Sequence, residues 1–407
     1  MLDGRARRVR RPLTVGFAVA VAGALALAVT WVNDRRSEGP PSVVSIGSGT
    51  VELPAPMSFR SVYARAAPGV VSVSVTTRPT VPAAPGGLPG PLGEKPDVEH
   101  LQPQLVHAAG VVIDRQGRIV TAHHVIAEAA RVRVTFADGE TTDAKIIGSD
   151  SSSDLALLRV GRSAKELHPI PFGSAADLRI GDPVLAIGDP FGYEASASAG
   201  IVSGLGRSID APNGFTIIGA IQTDAAVNHG NSGGALLDAR GALVGIPMQI
   251  AASGVDANVG VAFALPAETV KAVAAELQES GTVRRPWLGI HGVTITDALA
   301  DVLPGIPKSG ALVTQVLNGG PARAAGIRAG TGTAWIDGGI CAGGDAITAI
   351  NGESLTGIDD LLTRVRTSAI GMTVTLAVVR GGETRNVTVR IDAQPAAHPG
   401  VAEGCTV

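Results

Sequence analysis

Apolar and polar residues alternate along this chain with two different rhythms, and one stretch has no rhythm at all. Residues 13–32 (LTVGFAVAVAGALALAVTWV) are twenty positions without a charge. In a helix they span about 30 Å, the thickness of a bilayer core. Residues 33–56 are polar, proline-rich and aperiodic, and read as a tether. Order is expected from Met57, with a short helix over 58–67 stopped by Pro68-Gly69. Val71, Val73 and Val75 then alternate with Ser72 and Ser74, the period of a half-buried strand. A long Pro/Gly loop occupies 78–106. From 109 to 265 short strands follow one another. They are expected at 110–113, 118–120, 132–136, 144–147, 155–160, 183–187, 200–203, 216–222, 235–237, 243–246 and 259–264, with Gln116-Gly117 and Asp138-Gly139 as turn signals. Over 267–278 the rhythm lengthens, and Val270, Val273, Ala274 and Leu277 mark one face of a helix. A second unit, 283–392, has strand signals at 289–293, 311–316, 346–350, 374–379 and 384–391 and helical ones at 322–326 and 358–365. The connection 330–343 contains Asp337-Gly338 and predicts an extra hairpin carrying Cys341. Residues 393–407 read as a tail.

Many short strands separated by turns indicate a mainly β sandwich or barrel. Composition agrees, with 53 Gly and 26 Pro. With 45% hydrophobic and 3% aromatic residues, the cores must be built from Val, Ala, Ile and Leu. The net charge of -3, with no basic field outside the N-terminus, argues against a nucleic-acid partner. Arg5, Arg7, Arg8, Arg10 and Arg11 precede the apolar run. As positive charges they stay in the cytoplasm, so the rest of the chain lies outside it. A cleaved signal peptide is the rival reading, since Ala24-Leu25-Ala26 and Ala26-Leu27-Ala28 resemble cleavage sites. Both place the body of the chain in the same compartment. Neither Cys341 nor Cys405 belongs to a metal-ligating cluster, so no metal or cofactor is expected. An extracytoplasmic setting permits a disulfide between them, and two unpaired thiols are the alternative.

Three segments carry the candidate chemistry: Thr-Ala-His-His-Val at 121–125, Ser-Asp-Leu-Ala-Leu-Leu at 153–158 and Gly-Asn-Ser-Gly-Gly at 230–234. Alone, each has a bland reading as a strand end, a turn or a cap. Together they supply the histidine, aspartate and serine of a nucleophilic acyl-transfer site. Ser232 is the expected nucleophile, His124 the base that activates it and Asp154 the group that orients the imidazole. His123 would point away from its neighbour on an extended backbone. The N–H groups of Gly230 and Ser232, with Asn231 between them, would form the oxyanion hole, where each donor supplies about 2.7–4 kcal/mol of transition-state stabilisation.

These segments, with Ala186-Ile-Gly-Asp-Pro-Phe-Gly192, Gly200-Ile-Val-Ser-Gly204, Gln222-Thr-Asp-Ala-Ala226, Asn228-His-Gly-Asn-Ser-Gly-Gly-Ala-Leu236 and Gly260-Val-Ala-Phe-Ala-Leu-Pro266, resemble the HtrA/DegP-type membrane-anchored serine proteases with one C-terminal PDZ domain. The resemblance covers about 57–392. It implies a chymotrypsin-like double six-stranded β-barrel followed by an α+β PDZ domain. The expected organisation is a basic cytoplasmic segment 1–12, a transmembrane anchor 13–32, a linker 33–56, a protease domain 57–282, a PDZ domain 283–392 and a tail 393–407. The chain departs from the family pattern at Ala108-Ala109-Gly110 and Ala122-His123, which leaves the balance of active and inactive loop states open.

Ala226 stands six positions before the serine, where trypsin-like enzymes keep an acidic residue. With Ile246, Pro247 and Met248 as another wall, S1 should be apolar, and cleavage is expected after Val, Ala, Leu or Ile. Arg207 matches the arginine of the family's activation-sensing loop; an exposed loop arginine is the alternative. Trp287-Leu288-Gly289-Ile290 resembles a PDZ carboxylate-binding loop, with Leu361, Leu362 and Val365 on the opposite wall. The resemblance implies an endopeptidase of misfolded or exported proteins in the bacterial cell envelope, working in protein quality control and stress response. Its expected partners are C-terminal peptides at the PDZ domain, the membrane through 13–32, and two further copies in a homotrimer. The alternatives are a proteolytically silent chaperone or scaffold, and a regulatory protease dedicated to one membrane signalling protein.

Overall fold

Twelve strands form two closed antiparallel barrels. The first contains β1 (Val70–Thr77), β2 (Leu105–Val112), β3 (Arg118–Ala122), β4 (Ala129–Thr135), β5 (Thr141–Asp150) and β6 (Leu155–Val160), closed in the order β1-β2-β3-β6-β5-β4. The second contains β7 (Pro183–Gly188), β8 (Ser196–Asp210), β9 (Thr216–Thr223), β10 (Ala235–Leu237), β11 (Leu243–Met248) and β12 (Ala262–Pro266), in the order β10-β11-β12-β9-β8-β7. Helix α1 (Phe59–Ala66) precedes the barrels, a single turn α2 (His123–Ile126) follows β3, and α3 (Ala267–Ser280) follows β12. This computed structural model describes residues 58–78, 104–189, 196–211, 213–227, 230–248, 260–303, 305–334 and 340–404. The expected anchor and linker within 1–57, most of the 78–106 loop, Asp337-Gly338 and Cys405 lie outside the described residues. No described helix is long and apolar enough to cross a membrane.

The unbroken apolar run 155–158, which only the exposed Arg159 separates from Val160, has a physical reason. Ala156, Leu158 and Val160 fill the first barrel with Val73, Ile119 and Val134. Leu155 and Leu157 face outward, but into a second cluster that joins the barrels, with Val120, Leu185, Ile187 and the Val270 and Leu277 face of α3. A strand buried on both faces loses its alternation. Gly281, at φ +75, ends α3 in a left-handed cap whose N–H donates to the Leu277 carbonyl.

The second unit is built on a seven-stranded sheet with helices against it. Its elements are β13 (Pro286–Trp287), β14 (Ile290–Thr294), α4 (Asp297–Val302), β15 (Ala311–Leu317), α5 (Pro321–Ala324), β16 (Gly332–Ala334), β17 (Ile340–Ala342), β18 (Ala346–Ile350), β19 (Glu353–Ser354), α6 (Ile358–Thr367), β20 (Thr373–Arg380), β21 (Glu383–Arg390), β22 (Asp392–Ala393) and β23 (Val401–Gly404). The main order is β14-β15-β18-β20-β21. The expected extra hairpin is present as β16–β17, and Cys341 on it is disulfide-bonded. Asp345, 1% exposed, is held by the Arg328 N–H and by both Nε and Nη2 of Arg380.

Two sequence expectations change. Strand β8 runs far beyond 200–203, to Asp210, because its outer half projects as an exposed ribbon with β9 and carries no apolar alternation. Residues 393–404 are not a free tail: β22 pairs with β13 and β23 pairs with β15. Both are edge strands with little buried surface, so no apolar rhythm announced them.

Candidate active site

Asp154 immediately precedes β6 and has φ +51, a left-handed conformation uncommon outside glycine. That turn brings three of its oxygens to the start of α2. The main-chain carbonyl accepts from His123 N at 3.0 Å, and Oδ1 accepts from His124 N at 2.9 Å. Oδ2 lies 2.7 Å from His124 Nδ1. The carboxylate thus caps the helical turn and holds the imidazole together. An ionised carboxylate only accepts, so the ring proton belongs on Nδ1 and Nε2 is left as the base. The Asp154 side chain is 2% exposed and the imidazole 35%, so one edge of the ring reaches the cleft.

Because residues 123 and 124 sit on a helical turn and not on extended backbone, their side chains diverge by about 100°. His123 points inward, and its Nδ1 is buried without a hydrogen bond. Burial holds its pKa below the ordinary value, against the pull of Asp154 and Asp150.

Ser232 sits on a tight turn wedged between the barrels. Gly233 has φ +80, and a Cβ there would lie 2.5 Å from the Ala109 carbonyl and 2.7 Å from Ala122 N. Glycine is therefore required by close approach as well as by conformation. The Ser232 carbonyl accepts from Ala109 N, and Gly233 N donates to the Pro247 carbonyl. Gly230 has φ +98, and its carbonyl accepts from Asp189 N at 3.2 Å. Asn231 Nδ2 donates to the Ala226 carbonyl at 3.2 Å. A cavity of about 630 Å³ is lined by His123, His124, Gly230, Ser232, Asn213 and Val106, among others. Ser232 Oγ is buried and makes no hydrogen bond, so the link from serine to histidine is open while the link from histidine to aspartate is closed.

The expected S1 residues are dispersed. Ala226 is exposed, with its N–H donating to Ser198 Oγ. Ile246 and Met248 are 1% and 3% exposed and belong to the hydrophobic cluster joining the barrels, so in this conformation they do not wall the cleft. Arg207 folds back on its own ribbon, its Nε donating to Gln222 Oε1 at 3.0 Å.

The turn that leads into Asp154 is gripped from far along the chain. Asp150 accepts from both Nη atoms of Arg285, at 2.5 and 2.6 Å, and from Ser153 N. Asn213 Nδ2 donates to Ser151 Oγ and Ser152 Oγ, and Gln394 Nε2 donates to Ser152 Oγ. Sequence reasoning missed all four of these residues, which stand singly in unremarkable surroundings.

The profile of the trypsin-like peptidase domain matches residues 108–246, and that of the PDZ domain matches 286–391. The periplasmic serine endoprotease DegP of Escherichia coli K12 is 36% identical over 357 residues, 86% of this chain and 70% of that protein. The chain belongs to the HtrA/DegP family of serine proteases. Another member, a probable periplasmic serine endoprotease DegP-like from Bartonella henselae, is 40% identical over 292 residues; the match covers 72% of this chain and only 54% of that relative's length. Among solved structures, the HtrA-type protease AlgW with decapeptide aligns at a TM-score of 0.63 and 30% identity, covering 83% of this chain and 99% of that one.

Within this HtrA-type chain, Leu288 is buried, Gly289 turns the backbone at φ +83, and Trp287 meets Phe215 edge-on with ring centroids 6.4 Å apart. The Leu288 and Gly289 carbonyls accept from Ala322 N and Leu317 N. Leu361 and Val365 are buried in the PDZ core, and Leu362 and Val365 line the groove beside the loop.

Proposed function

We propose that this chain is a serine endopeptidase of the cell envelope that cleaves misfolded or exported proteins through an acyl-enzyme. The observation that carries the reading is the Asp154 carboxylate, buried and engaged at once with the His124 main chain and ring. In the reaction, Ser232 Oγ attacks the scissile carbonyl while His124 Nε2 takes its proton. The oxyanion develops against the N–H groups of Gly230 and Ser232. His124 then returns the proton to the leaving amine, and water enters by the reverse sequence to release the acid. Ser232 Oγ makes no hydrogen bond in this structure, and it turns toward His124 for the attack. The test is digestion of unfolded casein by the full chain beside its Ser232→Ala variant, with fluorophosphonate labelling of both. The unsubstituted chain is expected to digest and label; equal cleavage by the two would sink the mechanism, and absent labelling would favour a silent chaperone.

The finer assignments belong to the same reading. Ala226 leaves S1 without an acid, so cleavage should follow small or medium apolar residues. A preference for Arg or Lys in a peptide library would refute that. Arg207 relays signals toward the oxyanion turn through Gln222, two residues before Asp224. Residues 287–290 receive C-terminal peptides, residues 13–32 hold the chain in the membrane, and the protease domains assemble as a trimer. The disulfide of Cys341 is assigned to Cys405, the chain's other cysteine. Closing that loop contributes about 4 kcal/mol in the chain-entropy account.

A further inference from the structure

The well-buried guanidinium groups of Arg285 and Arg380 each pair with a carboxylate. Arg366, in the last turn of α6, forms no ion pair among the described residues. Its Nη2 donates only to the main-chain carbonyl of Thr216, at the start of β9. A neutral carbonyl is a poor counterpart for a half-buried cation, since it accepts a hydrogen bond but supplies no opposite charge to offset the lost hydration. Burial and the neighbouring Arg285, against the opposing pull of the Asp150 carboxylate, lower the Arg366 pKa to about 10. The position is costly, and what lies beside it is informative.

Arg366 lines a cavity of about 50 Å³ together with Leu288, Gly289, Ile290, Leu362 and Val365. On that measure a single water needs about 10–15 Å³, so a carboxylate fits and a whole peptide does not. The other side of the cavity carries donors. The carbonyls of Leu288 and Gly289 point at α5 and β15, where they accept from Ala322 N and Leu317 N. In a trans peptide the N–H points opposite to its carbonyl. The N–H groups of Gly289 and Ile290 therefore face away from α5 and β15. Two main-chain donors on one side and an unpaired guanidinium on the other make a receptor for one planar anion.

We propose that Arg366 is the cation that recognises the free α-carboxylate of a peptide in this groove, with the peptide's apolar last side chain seated against Leu362 and Val365. The assignment rests on the reading of 287–290 as a peptide-binding loop and adds to it a charged specificity residue from the facing helix. The carboxylate displaces the Thr216 carbonyl as the partner of the guanidinium. A terminus capped as an amide presents no charge for Arg366 to meet.

The experiment uses the full chain in detergent, in the Ser232→Ala background so that the probe survives. A fluorescein-labelled Ala-Ala-Ala-Ala-Val-Leu peptide is titrated as free acid and as amide, with anisotropy as the readout. The acid is expected to bind about tenfold or more tighter than the amide. Arg366→Gln should reduce that ratio to within about threefold, whereas Arg366→Lys should keep most of it. A merely structural role for Arg366 would weaken both peptides alike and leave the ratio intact, and that outcome would overturn the assignment. If neither peptide bound the Arg366 chain, the peptide-groove reading itself would fall, and Arg366 with it.

Discussion

The catalytic cleft and the junction between the barrels and the PDZ domain are both built of buried polar groups, but they are assembled in opposite ways. In the cleft, each short segment brings both its functional side chain and the backbone that holds it. Asp154 orients His124 and caps the turn on which His124 stands. Gly233 lets the Ser232 turn press against Ala109 and Ala122. At the junction, single residues converge from distant places: Asp150 from the first barrel, Asn213 from the ribbon, Arg285 from the start of the PDZ unit, and Gln394 from beyond its last core strand. The two regions meet in one turn, 150–154. Chemistry is thereby written locally, while control over the position of its aspartate is distributed.

The largest expected effect lies in the cleft. Asparagine tolerates the left-handed backbone that Asp154 adopts, so Asp154→Asn should fold. It offers one acceptor where two are used, and it favours the wrong imidazole tautomer. Peptide hydrolysis should fall by about 10⁴-fold in kcat, the scale seen when such a carboxylate becomes an amide. A loss below tenfold would mean that another group orients His124, and the contrast drawn above would fail on its catalytic side.

At the junction the expected effect is on stability. The side chains of Asp150 and Arg285 are 7% and 14% exposed. Asp150→Ala leaves the guanidinium buried and removes the acceptor of Ser153 N. Breaking a buried pair from one side costs about 3–5 kcal/mol. Thermal unfolding of Asp150→Ala should show a loss of that size, and the double replacement with Arg285→Met should recover much of it. If Asp150→Ala cost less than about 1 kcal/mol, the junction would be a surface contact and not a buried clamp.

This difference in assembly also explains how far the sequence could be read. The two barrels, the PDZ-like unit and the three catalytic segments were legible because strand alternation, turn glycines and segment order are all local signals. Leu155–Val160 read correctly as a strand although it lacks alternation, since its length and flanking turn were enough. The outer half of β8 and the edge strands β22 and β23 were not legible, because exposed pairing is specified by main-chain groups that every residue possesses. The backbone at His123 was weighed only as extended, because a single helical turn is too short to show a period. Ile246 was expected to wall S1 together with Pro247 and Met248, but along β11 it shares its face with Met248, and that face is turned into the core. Asp150, Arg285 and Arg366 carry no local mark, since what makes each matter is a partner far along the chain.

The smallest effect separates the two regions by pH. His123 lines the cleft and His291 lies at the junction, and burial lowers the pKa of both. For His291 the nearby His398, with Nε2 atoms 3.2 Å apart, adds to the lowering, and Asp210 opposes it. For His123 the opposing groups are Asp154 and Asp150. A histidine whose folded pKa lies below its unfolded value of 6.5 binds its proton more readily in the unfolded chain. Its stabilising contribution is full above that pH and drains away as the pH falls toward the folded value. Each histidine can add at most about 1.4 kcal/mol of lost stability per pH unit. Chemical denaturation between pH 7.5 and 5 should therefore show stability falling with acid. His123→Asn and His291→Asn should each flatten the slope, and together they should flatten it additively, because the two sites share no partner. If only His123→Asn flattened it, the junction would carry no acid-sensitive strain, and the residues around His398 would serve packing alone.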